Sequence, residues 1–227
     1  MPRHSAEPAS RCSNLTAHPS RAKYGCEMIA IKHRASVSGL SVFIAVLLCS
    51  FLPCESFGQA GDADRAAQSQ QAFMEMAAVL RHPRCLNCHT SVDYPRQGDD
   101  QHRHLFNVKR GPDDRGVVAL RCRTCHQADN QQASGVPGAP GWRLAPLRMA
   151  WDGLSPGQLC RALLDPTRGG MTAATLVEHL QTERLVAWAW QPGRNSHGDR
   201  RQEPPLSREQ FLALVGNWAE LGAVCPE

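Results

Sequence analysis

Two copies of the pattern Cys-x-x-Cys-His constrain this chain more than anything else in it: Cys85-Leu86-Asn87-Cys88-His89 and Cys122-Arg123-Thr124-Cys125-His126. Each holds two thiols three positions apart, with an imidazole directly after the second. On one helical turn those three side chains lie on the same side, because residues three and four apart are neighbours. Each pattern therefore commits the backbone to a tight turn that presents sulfur and nitrogen to a common object. The two histidines are only 37 residues apart. That is too little chain for two independent domains, so whatever the motifs hold must share one core.

The spacing suits covalent attachment of a haem. Two thiols on one turn can each add across a vinyl group of the same porphyrin, and the following imidazole is placed to bind the iron. The rival reading is a zinc ribbon, in which two Cys-x-x-Cys pairs supply four sulfurs to one tetrahedral ion. His makes up only 10 of the 227 residues, yet one follows both pairs. That favours two covalently attached haem c groups held by Cys85, Cys88, Cys122 and Cys125, with His89 and His126 as proximal ligands.

The chain before the motifs reads as an address. From Met28, the charged Lys32-His33-Arg34 precedes an apolar run from Val42 to Leu52 and a cleavage-like Gly58-Gln59-Ala60. Residues 1–27 read as an upstream extension and 28–60 as a secretory signal peptide cut near Ala60. The mature domain is then 61–227, in the periplasm. The apolar run is short for a bilayer span, which argues against a stable span after cleavage, a retained anchor being the alternative. Cys49 and Cys54 lack the small residue expected before a lipidated cysteine.

Charge adds an exclusion. Six of the 25 Lys and Arg and three of the 21 Asp and Glu fall in residues 1–60, which leaves 19 against 18 over 61–227, a net of +1. No basic stripe remains to argue for nucleic acid.

The pattern of the mature chain predicts a mainly α fold with long Pro/Gly-rich loops, in keeping with 18 Gly and 16 Pro. A first helix is expected over Asp62–Arg81, with Ala66, Ala67, Phe73, Met76, Ala77 and Leu80 inward and Pro83 ending it. Further helices are expected near 156–164, 172–181 and 183–190. A last one is capped by Ser207 with Gln210 three positions on, its inner face Phe211, Leu214, Val215 and Trp218, and Gly222 at its end. The polar stretch 191–205 reads as a mobile loop. Cys160 and Cys225 are left over and, in an oxidising compartment, are expected to form a disulfide, free buried thiols being the alternative.

Each iron also needs a sixth ligand unless its site is open. His102 and His104, 13 and 15 positions after His89, are the candidates for the first haem, and both cannot serve one iron because alternate residues of an extended segment face opposite ways. Met149, in the loop after Pro146, is the candidate for the second, with His179 and Met171 in reserve. The five tryptophans, Trp142, Trp151, Trp188, Trp190 and Trp218, are expected to line the haem crevices.

With both motifs in one small exported domain, the chain resembles c-type cytochromes. The stretch from His82-Pro83 to Trp190-Gln191-Pro192-Gly193, with the Cys225-Pro226 ending, is similar to small exported proteins labelled as cytochrome subunits of isoquinoline 1-oxidoreductase-type molybdenum hydroxylases. That resemblance covers most of 73–227. It implies a single cytochrome c-like dihaem domain that accepts electrons from a dehydrogenase donor and passes them to a downstream cytochrome or oxidase, and not the hydroxylase itself. No catalytic residue is expected beyond the haems. The competing class is a small dihaem oxidoreductase, peroxidase-like, with one iron left open.

Overall fold

Ser69, Ala72, Phe73, Met76, Ala77, Val79 and Leu80 recur at helical spacing and are all buried, which gives the first helix one continuous inner stripe. In the computed structural model, which describes residues 56–227, this is α1 (Ser56–Leu80). It begins six residues earlier than the sequence predicts and runs through the expected cleavage position after Ala60. No side chain from Ala60 to Gln68 is buried, so a cut at Ala60 removes a projecting end and leaves the packed part intact. Ala66 and Ala67 were expected inward. They are half-buried and exposed instead, because burial starts only at Ser69. The extension at 1–27 and the signal segment up to residue 55 lie outside the described residues.

The rest of the element order is α2 (Pro83–Leu86), two short hairpins, α3 (Cys122–Cys125), α4 (Pro156–Leu164), α5 (Ala173–Thr182), α6 (Arg184–Ala187) and α7 (Arg208–Glu220). The first hairpin pairs β1 (Arg96–Gln97) with β2 (His102–Arg103), Arg96 opposite Arg103. The second pairs β3 (Gly116–Val117) with β4 (Leu120–Arg121), Gly116 opposite Arg121. The architecture is mainly α, with helices gathered at both ends of the chain and irregular loops between. The helix expected over 183–190 is shorter: it stops at Ala187 and tightens into a 3-10 turn, Trp188–Trp190.

Helix α7 crosses α1 and closes the core. Trp218 and Phe73 meet with ring centroids 5.4 Å apart, and Phe211, Val215 and Trp218 are all within 1% of full burial. Ser69 is a buried hydroxyl at this crossing, and it is satisfied: its Oγ donates to the Trp218 carbonyl at 3.3 Å and accepts from the Val224 N–H at 2.9 Å. Trp218 therefore belongs to the core between the terminal helices and not to a crevice wall.

The chain end is pinned as well as packed. Cys160 on α4 and Cys225 form a disulfide across 65 residues. Arg161 donates to the Pro226 carbonyl at 3.0 Å and Gln70 to that of Cys225 at 3.2 Å. Position 157 has to be glycine for this approach, since a Cβ there would stand 2.3 Å from the Pro226 oxygen.

Caps set the helix starts where the sequence predicts them. Ser155, Thr172 and Ser207 each accept from the N3 backbone N–H, and the N3 side chain answers in each case. Replacing Ser207 by Ala is expected to cost about 1 kcal/mol. Chemical denaturation checks this, with an unchanged midpoint counting against the cap. The stretch 191–205 is stitched down and not a free loop. Arg201 donates to the Pro192 carbonyl at 2.8 Å, and Asn195 N–H bonds Asp199 O at 2.9 Å. Among the described residues no helix is long and apolar enough to cross a membrane.

Candidate metal-binding sites at the two Cys-x-x-Cys-His turns

Both motifs fold into a short helical turn, and one hydrogen bond is common to the two. Helix α2 starts with Pro at its first position, behind His82 in extended conformation, whose Nδ1 accepts from the Arg84 N–H at 3.3 Å. One turn later the His89 N–H reaches the Cys85 carbonyl at 3.0 Å. Helix α3 starts after Arg121, also extended, and the His126 N–H reaches the Cys122 carbonyl at 2.9 Å. The i to i+4 bond between first cysteine and histidine is thus common to both, and it sets sulfur and imidazole on one face.

Each imidazole is then locked by a main-chain carbonyl. His89 Nδ1 lies 2.8 Å from Met149 O and His126 Nδ1 lies 2.7 Å from Pro137 O. A carbonyl only accepts, so each Nδ1 carries the proton and each Nε2 keeps its lone pair, provided the ring is neutral. Burial makes it so. It holds both rings down to about 4, against the opposing pull of the carbonyl bonds. Each ring also lies flat on a tryptophan: His89 on Trp151 with centroids 3.4 Å apart, His126 on Trp142 at 4.4 Å. Two ring-locking devices per histidine, repeated at both motifs, leave one nitrogen of each free to bind a metal.

The loops that supply those carbonyls are themselves braced. The segment after Leu144 straps the first motif, with the Ala145 N–H on Cys88 O at 3.2 Å and the Trp151 N–H on His89 O at 2.9 Å. Buried Arg110 clamps the same strap, donating to Thr90 O at 2.8 Å, Ala145 O at 2.5 Å and Asp114 at 2.6 Å. In the second site Asn130 Oδ1 accepts from Gly138 N–H at 3.0 Å and from Trp188 Nε1 at 2.9 Å. Gly138 follows Pro137, whose carbonyl accepts from His126, and a Cβ there would stand 2.2 Å from the Asp129 oxygen.

The first motif opens into a cavity of about 220 Å³. Its floor is aliphatic, from Val79, Leu80, Leu163, Leu176, Leu180 and Val186, and buried Arg84 lines it together with Arg143 and Arg148. Trp151, Trp188 and Trp190 line it too. Two buried donors on its wall have no acceptor: Arg84 Nε and Trp151 Nε1. The thiols are free and held protonated. Burial first, then the neighbouring Cys88, pushes Cys85 up to about 12, and burial with Cys122 pushes Cys88 up to about 11. The second motif is shallower, with Cys122 half-buried and Cys125 exposed.

The predicted sixth ligands change places. Met149 was expected at the second motif. It lies instead in the wall of the first cavity, and its carbonyl receives the His89 proton. Its main-chain oxygen thus faces the Nδ1 edge of His89. His104 was expected at the first motif, yet its ring centroid is 5.9 Å from that of His126. The reason is the β1–β2 hairpin, which folds residues 96–103 back and delivers the next residue to the second turn. His102 stands at neither: it is exposed and bonded to Asp100 at 2.6 Å. The reserves His179 and Met171 both line the first cavity. Pro137 and Arg110 went unremarked in the sequence, since a carbonyl acceptor and a main-chain clamp leave no residue-type signature.

The four thiols are not gathered for one ion. Among the described residues no three His, Cys, Asp or Glu side chains sit close enough to share a metal, which a zinc ribbon requires. Comparison with protein families, with characterised proteins and with solved structures finds no match for this chain.

Proposed function

We propose that this chain is an exported dihaem c-type cytochrome that transfers electrons in the periplasm. One observation carries the reading: two helical turns each combine a pair of free thiols with a neutral histidine whose Nδ1–H is tied to a carbonyl, leaving Nε2 to an iron. The residues fit a haem in other respects. Cys85 and Cys88 stand at the mouth of an apolar, tryptophan-lined cavity suited to a porphyrin, and the unpartnered Arg84 Nε and Trp151 Nε1 on its wall suit propionate carboxylates. Cys122 and Cys125 would hold the second group near the surface.

When bound, each haem supplies a one-electron ferric–ferrous couple. The protein's own part is to hold geometry. The carbonyls of Met149 and Pro137 keep each proximal imidazole in one tautomer and one orientation, which limits reorganisation as charge on the metal changes. The aliphatic floor of the first cavity excludes water from one site, while the exposed Cys125 leaves the other close to solvent and to a partner. The 37 residues between His89 and His126 would keep the two groups within one domain, close enough for exchange. The resemblance noted above supports a dehydrogenase, such as a molybdenum hydroxylase, as electron donor and a downstream cytochrome or oxidase as acceptor.

A pyridine haemochrome assay on the mature protein tests the reading, and two covalent haems per chain are expected. Stoichiometric zinc, or no haem retained on a denaturing gel, sinks it.

A further inference from the structure

We infer that His104 and His126 are the two axial ligands of one iron, so that the second site is a bis-histidine centre built by the loop after the first hairpin. The inference rests on the haem reading above and goes beyond it, because the motifs name only His126.

Three observations point the same way. The ring centroids of His104 and His126 are 5.9 Å apart with planes at 72°. Two metal–nitrogen bonds of about 2 Å each, plus the distances from nitrogen to ring centre, total roughly 6 Å, so the gap matches one metal atom. His104 Nδ1 lies 2.7 Å from the Leu105 carbonyl. A carbonyl only accepts, so Nδ1 is the donor and Nε2 is the nitrogen left to a metal, as at His126. The position is anchored from both sides, since the His104 N–H bonds Pro95 O at 3.0 Å and the Leu105 N–H bonds Gln97 Oε1 at 3.3 Å.

The surroundings make sense of an exposed feature as well. Leu105 and Phe106, 56% and 83% exposed, directly follow His104, and Val117 and Val118 are exposed on the hairpin that leads into Cys122. Apolar side chains on the two segments that flank this histidine pair suit the face of a porphyrin. Phe106 and Asn107 both hold positive φ, 60° and 51°, a conformation that costs a non-glycine residue energy and turns the chain sharply after His104.

The test is spectroscopic. Near-infrared magnetic circular dichroism of the oxidised wild-type protein should show at least one bis-histidine iron; finding none overturns the inference. His104→Ala should keep two haems per chain and gain one carbon monoxide-binding iron per chain on reduction. His104→Met, a variant that keeps a ligand in place if the alanine protein does not accumulate, should exchange one bis-histidine signal for a histidine–methionine one. His102→Ala should leave every signal unchanged. If either His104 variant retains two haems with spectra identical to wild type, His104 is not the ligand, although the dihaem reading stands. A wild-type haem count below two overturns that reading instead.

Discussion

Replacing Cys85 and Cys88 together by alanine is expected to lower the covalent haem content from two per chain to one and to destabilise the whole domain. The first motif faces a cavity of about 220 Å³ walled by the same helices that form the core. At roughly 24 cal/mol per Å³ a closed, dry void of that size costs about 5 kcal/mol, which is an upper bound here because the cavity opens to solvent and water can enter. That is comparable with the entire stability of many domains, roughly 5–15 kcal/mol. Val79, Leu80, Leu163, Leu176 and Leu180 would lose their packing partner at once. The matched variant, Cys122→Ala with Cys125→Ala, should also lose one haem but melt closer to wild type, because Cys125 is exposed and Cys122 only half-buried. Haem counting and thermal melts of the two variants side by side decide the matter. Equal melting temperatures would mean that the cavity is not where the first haem sits.

Removing the disulfide should cost nearly as much by a different route. Cys160 and Cys225 close a loop of 65 residues, and the loss of that constraint on the unfolded chain is worth about 4 kcal/mol in the chain-entropy account. The native state loses little in exchange, since Arg161, Gln70 and the close approach at Gly157 still hold the last residues on α4 and α1. The effect should therefore appear in the denaturation midpoint of Cys160→Ser with Cys225→Ser, while haem spectra stay unchanged. A midpoint shift worth less than about 1 kcal/mol would show that the bridge adds nothing to those contacts. Titratable thiols at these positions in the native wild-type protein would show that it does not form.

Whatever depends on neighbouring residues was legible before any coordinates. The capping box at Ser207 names its own partner three positions on, so the start of α7 follows from adjacent side chains. The inner face of α7 followed from period alone, Phe211, Val215 and Trp218 being buried and Leu214 half-buried. At the first helix the same reasoning stumbled on Ala66 and Ala67. Periodicity says which residues share a face, but not how far along the helix a partner reaches.

The stretch 191–205 shows the opposite failure. Its Gly, Pro and Arg content reads as mobility, yet Arg201 reaches back to Pro192 O and also to Gly135 O, fixing the loop through acceptors that composition cannot reveal. Two of the sixth-ligand candidates lie beside the other motif from the one that chain distance suggests. Distance along the chain put His104 with His89 and Met149 with His126. A two-residue hairpin reverses the first assignment and a strap from Leu144 to Trp151 reverses the second.

By itself, then, the sequence determined the two turns, the order of thiols and imidazole on each, the helices with their caps, and the pairing of the last two cysteines. These are short-range matters, or matters of elimination. Tertiary structure alone decided which carbonyl locks each imidazole, which motif receives a deep cavity and which lies near the surface, and that His104 comes to stand opposite His126. Those facts depend on where loops return, and a loop's return is set by long-range packing and by main-chain hydrogen bonds that are nearly the same for every residue type.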